Sequence, residues 1–116
     1  MKIRIKGNSL RYRLTRSDIS QLIDKHYLEE RTSFVGGTLI YAVAITEGAD
    51  LTAEYLDNMI LLRLPKSLLE SLEHPDTIGF SDEKGPVALL IEKDFTCLDK
   101  VEEDQSDNYP NPALFK

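Results

Sequence analysis

Residues 7–22 read GNSLRYRLTRSDISQL, and residues 57–72, fifty positions later, read DNMILLRLPKSLLESL. In both stretches a turn is followed by an apolar strand and then by apolar residues at helical spacing. Five positions are identical: Asn8/Asn58, Arg13/Arg63, Leu14/Leu64, Ser17/Ser67 and Leu22/Leu72. Two unrelated hairpin-helix segments of similar propensity would also give this pattern. Because the order of elements on either side repeats as well, we favour an internal duplication.

The surrounding pattern predicts the same elements in each copy. Strands are predicted over residues 2–6, 10–14, 32–35 and 38–46, with a helix that begins at Thr15 or Ser17 and fades near residues 25–26. In the second copy, strands are predicted over 51–56, 59–64, 77–81 and 87–92, with a helix over 66–73. Residues 38–46 are apolar on both faces, which is typical of a central, covered strand.

These elements predict an α+β fold that is mostly antiparallel, with two β-β-α-β-β repeats packed as one small barrel-like or sandwich domain. The repeats span about residues 1–48 and 51–94 within a single domain of residues 1–98. Residues 99–116 are predicted to form an acidic tail that packs on this body, since Tyr109, Leu114 and Phe115 would be unusual in a purely solvated terminus.

Bulk properties narrow the class of protein. The chain has 116 residues, 41% hydrophobic and 29% charged, which suits one globular domain. No apolar run is long enough for a membrane helix, and the start does not resemble a signal peptide. One cysteine cannot form an intrachain disulfide, so a reducing, cytoplasmic location is expected. Common nucleotide, hydrolase and zinc-protease motifs are lacking, which favours a non-catalytic protein without a cofactor.

Basic residues are concentrated at the start of the chain, where the first 16 residues carry six cations and no acid. Strand alternation places five of them on one face of the first hairpin, with Arg63 as a sixth candidate from the second copy. The predicted binding residues are Lys2, Arg4, Lys6, Asn8, Arg11, Arg13 and Arg63. Such a face could bind phosphates or other anions, or it could be solvated or neutralised by the acidic tail. A net charge of −6 argues against general affinity for nucleic acid.

The end of the chain offers a second candidate site, formed by Cys97, Asp104, Asp107 and Tyr109. Acidic side chains there are the oxygen donors that Ca²⁺ or Mg²⁺ accepts, but their spacing does not match an EF-hand, so no metal site is predicted. A catalytic Cys97 would need a nearby base, and chain position places neither His26 nor His74 beside it. We therefore expect a structural cysteine, with thiol or metal chemistry as an alternative.

The hairpin-helix stretches resemble AbrB/MazE-type swapped-hairpin DNA-binding domains. Gly7-Asn8-Ser9 followed by Arg13-Leu14 is similar to the start of that family's motif, and Arg63-Leu64-Pro65 is similar to its strand-to-helix junction. The resemblance implies that Asn8, Arg11 and Arg13 lie on or near a DNA-facing hairpin. Thr15 replaces the first proline of the family's motif, Asp57-Asn58-Met59 replaces the second GNS, and Lys6 replaces a tryptophan.

Nearly the whole chain resembles an uncharacterised family of short bacterial proteins. The segments that carry this resemblance are Glu92-Lys93-Asp94-Phe95-Thr96-Cys97-Leu98 and the acidic Glu103-Asp104-Gln105-Ser106-Asp107-Asn108-Tyr109-Pro110-Asn111-Pro112. The resemblance implies no activity.

Three functions remain open from the sequence. The leading interpretation is a non-catalytic binding or interaction module that uses the basic sheet face or the C-terminal tail. Its partner would be a protein or an anionic ligand, with no membrane involved, and the chain would be a monomer or a homodimer. The alternatives are a swapped-hairpin nucleic-acid-binding protein and a thiol or metal site at Cys97.

Overall fold

The computed structural model describes residues 1–95 and 106–110. The first half contains β1 (Lys2–Lys6), β2 (Ser9–Leu14), α1 (Arg16–Lys25), β3 (Tyr27–Phe34) and β4 (Gly37–Thr46). The second half contains β5 (Thr52–Leu56), β6 (Met59–Pro65), α2 (Lys66–Leu72), β7 (Gly79–Asp82) and β8 (Ala88–Lys93). The order β-β-α-β-β therefore occurs twice along the chain. Neither helix of these ranges is long and apolar enough to cross a membrane.

The eight strands form two four-stranded sheets, each built from both halves of the chain. Sheet A has the order β1-β2-β8-β7, and sheet B has the order β3-β4-β6-β5. The four hairpin pairings are antiparallel, whereas β2–β8 and β4–β6 are parallel pairings at the centre of each sheet. The α+β, mostly antiparallel prediction is confirmed. The barrel-like alternative is wrong, because each sheet ends in two edge strands and does not close on itself.

One core lies between the inner faces of the two sheets. Leu10, Tyr12 and Leu14 of β2 enter it from sheet A, and residues such as Leu62 and Leu64 of β6 enter it from sheet B. Each fully buried leucine contributes about 1.5–3 kcal/mol relative to an exposed one. Tyr12 also carries a polar group into this core, where its hydroxyl lies 3.2 Å from the carbonyl oxygens of both Ala42 and Ile60.

Thr15, one of the two residues predicted to begin the first helix, is its N-cap residue. Thr15 Oγ1 accepts a hydrogen bond from the Asp18 N–H at 3.3 Å, and the Asp18 carboxylate accepts one from the Thr15 N–H at 2.9 Å. This capping box satisfies two N–H groups that the first turn leaves unpaired. The helix ends at Lys25, and the next residue, His26, has a left-handed backbone (φ 62°) and an N–H that donates to the Leu22 carbonyl oxygen.

Two strands begin two or more residues away from their predicted starts, whereas the bounds of the other six agree to within one residue. The third strand begins at Tyr27, not near residue 32. It is an edge strand with an exposed outer face, so it contains the polar residues Glu29, Glu30 and Arg31, and its sequence lacks the apolar pattern that predicts a strand. The seventh begins at Gly79, not at residue 77. The predicted central strand is correct: β4 lies between β3 and β6, and Ala42 on its outer face is fully buried.

Candidate functional site

The outer face of sheet A carries the cations that alternation predicted. In the antiparallel β1–β2 register, Lys2 pairs with Arg13 and Arg4 pairs with Arg11, while Ile3 pairs with Tyr12 on the inner side. Cross-strand partners project to the same side of a sheet, so the register groups the cations on one surface. We call this surface the cationic face; it consists of Lys2, Arg4, Lys6, Arg11 and Arg13.

Two carboxylates from the end of β8 partly neutralise the cationic face. Glu92 Oε1 lies 2.9 Å from Arg13 Nε and 3.6 Å from Arg11 Nε. Lys2 Nζ lies 3.2 Å from Asp94 Oδ2, a buried oxygen that accepts no hydrogen bond from the described residues. Along the chain, Glu92 lies 81 positions from Arg11 and 79 from Arg13, and Asp94 lies 92 positions from Lys2. Sequence reasoning missed them because nothing local predicts that β8 lies parallel to β2.

The far end of the cationic face keeps its positive charge. Within residues 1–95 and 106–110, neither Arg4 nor Lys6 has a carboxylate within 4.0 Å. Both side chains are exposed. An incoming anion would therefore meet its strongest attraction toward the hairpin turn, away from Glu92 and Asp94.

The remaining two predicted binding residues, Arg63 and Asn8, lie outside the cationic face. Arg63 lies on β6, in sheet B, and pairs with Glu54 at 2.7 Å. It occupies the place in sheet B that Arg13 occupies in sheet A, so it is not part of the cationic face. Asn8 lies in the β1–β2 turn, and its side-chain amide donates to the Pro86 carbonyl oxygen. The amide therefore ties the turn to the chain before β8.

The described part of the tail contacts the start of α1. Asp107 accepts hydrogen bonds from the Ser17 N–H at 3.3 Å and from the Ser17 hydroxyl. Its carbonyl oxygen accepts from the Arg16 N–H at 3.2 Å. The hydrogen bonds from Ser17, followed by that from Thr15, lower the pKa of the Asp107 carboxyl below its ordinary value.

Tyr109 continues this contact at the end of β8. Its N–H donates to the Asp94 carbonyl oxygen at 2.8 Å, and its ring packs edge-on against Phe95 with centroids 6.0 Å apart. The ring also lies 5.0 Å from Lys93 Nζ, which donates to the His74 carbonyl oxygen at 2.7 Å. Burial lowers the pKa of Lys93 and raises that of Tyr109. The contacts of Asp107 and Tyr109 are therefore structural ones to the body.

The other half of the predicted tail site cannot be placed. Cys97 and Asp104 lie outside the described residues, so the thiol or metal alternative stays a prediction. Within the ranges that the structure does describe, no group of three or more His, Cys, Asp or Glu side chains could hold a metal ion.

The geometry defines the class of protein: a small α+β domain of two sheets, one of which presents a cationic outer face. Over residues 1–113 the sequence matches the model of a Family of unknown function (DUF7009), and the chain belongs to that family. No curated protein matches the chain, and no solved structure does. The resemblance to swapped-hairpin DNA-binding domains is not supported by these comparisons and stays a prediction.

Proposed function

We propose that the protein is a non-catalytic interaction module that binds an acidic segment of a partner protein on the cationic face. One observation carries the proposal: the β1–β2 register gathers five cations on a single sheet face, and Arg4 and Lys6 have no ion pair among the described residues. Charges of one sign on a sheet repel one another, and a bound anionic partner would relieve that repulsion.

An acidic protein segment suits this surface better than a long nucleic acid. The chain as a whole has a net charge of −6 and a pI near 4.9, so the remainder of its surface repels an extended polyanion. Glu92 adds a negative charge beside Arg11 and Arg13, the arginines that the swapped-hairpin resemblance assigns to DNA. A short acidic segment can avoid Glu92 by binding nearer to Arg4 and Lys6.

The test is a charge reversal of the two unpaired cations. In the variant Arg4→Glu/Lys6→Glu, position 4 faces Arg11 across the strands, so the reversal replaces a like-charge pair by an opposite pair and should not impair folding. The matched control is Lys25→Glu/Lys66→Glu, which changes the net charge equally at exposed positions of the two helices. Binding of a fluorescently labelled oligoglutamate peptide is followed by anisotropy at low and high salt.

We expect the peptide to bind the wild type and the control at low salt. Its affinity for the Arg4→Glu/Lys6→Glu variant should be lower by about tenfold or more, and a tenfold loss corresponds to roughly 1.4 kcal/mol of binding free energy. Absence of binding to the wild type at low salt would contradict the proposal. A labelled DNA duplex is measured alongside. Salt-dependent duplex binding that disappears in Arg11→Ala/Arg13→Ala, together with no peptide binding, would favour the nucleic-acid alternative instead.

The matching order of elements and the identities between residues 7–22 and 57–72 support an origin by internal duplication. The single cysteine supports a reducing compartment, so we place the interaction in the cytoplasm.

A further inference from the structure

The edge of sheet A next to the cationic face has no neighbouring strand in the part of the chain that the structure describes. In the order β1-β2-β8-β7, β1 has one neighbour, and no strand of the described residues pairs with its other side. An edge strand presents N–H and C=O groups that a further extended segment can use for hydrogen bonds. Because Lys2, Arg4 and Lys6 belong to this same strand, the open edge and the positive charge coincide.

An apolar cavity lies beside the end of the same edge strand. Ile5 projects to the inner side, opposite Leu10, yet its side chain is 59% exposed. It lines a cavity of about 260 Å³ whose walls include the apolar residues Leu10, Tyr55 and Ile60, with Asn8, Ser9 and Glu54 as polar members of the lining. Tyr55 is also largely exposed, at 66%. Along β1, the outward row is therefore cationic, whereas the inward row ends at an uncovered apolar cavity.

We propose that the partner's acidic segment binds as an additional strand along β1, with acidic and apolar residues in alternation. This inference rests on the proposed function and specifies the form of its ligand. Side chains on one side of the added strand would carry carboxylates toward Arg4 and Lys6. Side chains on its other side would be apolar, and the one beside Ile5 would enter the cavity. Backbone hydrogen bonds supply affinity in such strand addition, and the alternating side chains supply specificity.

Charge argues against a second copy of this chain at the same edge. Pairing β1 with β1 of another molecule would place lysine and arginine side chains next to one another across the new strand pair. Like charges directly opposite on a sheet are destabilising. A segment with the complementary alternation has the reverse effect, so the open edge favours an acidic partner over self-association.

Sheet B contains the topological counterpart of this edge, and it has a different charge. β5 is the edge strand of sheet B in the position that β1 has in sheet A. Its outward residues are Thr52, Glu54 and Leu56, none of them basic. An acidic strand at β5 would meet Glu54 and, on the neighbouring strand β6, the single cation Arg63, which Glu54 already neutralises. Binding is therefore expected at one edge of the molecule.

Two synthetic peptides test the proposal with the full chain. One alternates glutamate and valine, and the other alternates glutamate and serine, so the two have the same charge and differ in the apolar row. Affinity is measured by anisotropy, and protection of individual amides is measured by hydrogen exchange. The protein variants are Ile5→Ser, which removes an exposed side chain that lines the cavity, and Arg4→Glu/Lys6→Glu. Circular dichroism confirms that each variant is folded.

The glutamate-valine peptide is expected to bind about tenfold tighter than the glutamate-serine peptide, to protect amides of β1 and to leave those of β5 unprotected. Ile5→Ser should remove this preference, and Arg4→Glu/Lys6→Glu should weaken both peptides. Equal binding of the two peptides without protection of β1 would overturn strand addition and leave the proposed function intact. If neither peptide binds, both proposals fail. Dimerisation through β1 in sedimentation experiments would also overturn the inference.

Discussion

At the scale of single residues, Tyr12 connects the two sheets by a polar contact inside the core. Its side chain is fully buried, and its hydroxyl lies 3.2 Å from carbonyl oxygens of β4 and β6, in the opposite sheet. Burial raises the pKa of this phenol, so the group stays protonated and remains a donor across the ordinary pH range. A leucine at this position would fill space without specifying how the sheets align.

Tyr12→Phe removes this donor and keeps the ring. We expect the free energy of unfolding to fall by about 1 kcal/mol, the usual net contribution of one hydrogen bond. The control is Tyr55→Phe, because the Tyr55 ring is exposed and its hydroxyl lies 3.5 Å from Asn58 Oδ1. Urea unfolding followed by circular dichroism gives both values. Equal midpoints for the two variants would show that the buried hydroxyl does not stabilise the sheet packing.

At the scale of elements, the segment Ser106–Pro110 is held to α1 and to the end of β8 by hydrogen bonds and by contacts of the Tyr109 ring. The Asp107 carboxylate binds the Ser17 N–H, one of the donors that the first turn of α1 leaves free. Negative charge at a helix N-terminus is favourable as well. Because its folded-state pKa is lowered, the contact contributes stability that is complete above the unfolded pKa, whose ordinary value is 3.8. That stability is lost as the pH falls through the lower folded value.

Asp107→Asn should therefore loosen the segment at neutral pH and remove the acid dependence of its docking. The readout is hydrogen exchange of the Tyr109 amide, which donates to the Asp94 carbonyl oxygen. In the wild type, we expect this amide to lose protection only below about pH 4. Asp24→Asn, which neutralises an exposed carboxylate on the same helix, serves as the control. Unchanged exchange in Asp107→Asn would show that the Asp107 carboxylate does not hold the segment.

The sequence predicted elements well where their signals are local. Alternation from Lys2 to Leu14 gave the first hairpin and the side on which each residue projects, and the register confirms both. Thr15 was one of the two residues predicted to begin the first helix, and the structure has it as the N-cap residue, in a capping box with Asp18. The predicted strand at residues 32–35 began five residues too late, because the charged residues at the start of the edge strand β3 do not show the apolar pattern of a strand.

Contacts between distant strands could not be predicted in the same way. Nothing in Glu92 indicates that it will lie beside Arg13, because that contact depends on the parallel β2–β8 pairing. Gly79 is a similar case. A Cβ atom there would overlap the Ile91 carbonyl oxygen, and nothing near Gly79 in the sequence predicts this close approach of β8. The cationic face was thus predicted from the sequence, whereas its partial neutralisation by Glu92 and Asp94 was not.

At the scale of the whole molecule, the exchange of hairpins between the halves makes each half dependent on the other. Sheet A takes β1 and β2 from the first half and β7 and β8 from the second. Sheet B takes β3 and β4 from the first half and β5 and β6 from the second. The core likewise contains Leu14 and Leu64 from both halves. A two-stranded hairpin alone is only marginally stable in water. Neither half, by itself, retains a complete four-stranded sheet.

We therefore expect the chain to unfold in one transition and its halves to be unfolded when separate. Residues 47–50 are exposed and lie between β4 and β5, so fragments 1–48 and 49–116 leave every strand intact. Each fragment alone should lack the circular dichroism of a sheet. An equimolar mixture should recover it, because the β2–β8 and β4–β6 pairings join the fragments. The control is the intact chain refolded under the same conditions. If fragment 1–48 alone melted cooperatively, the first half would be an independent folding unit. The sheets shared between the two halves would then not be required for folding.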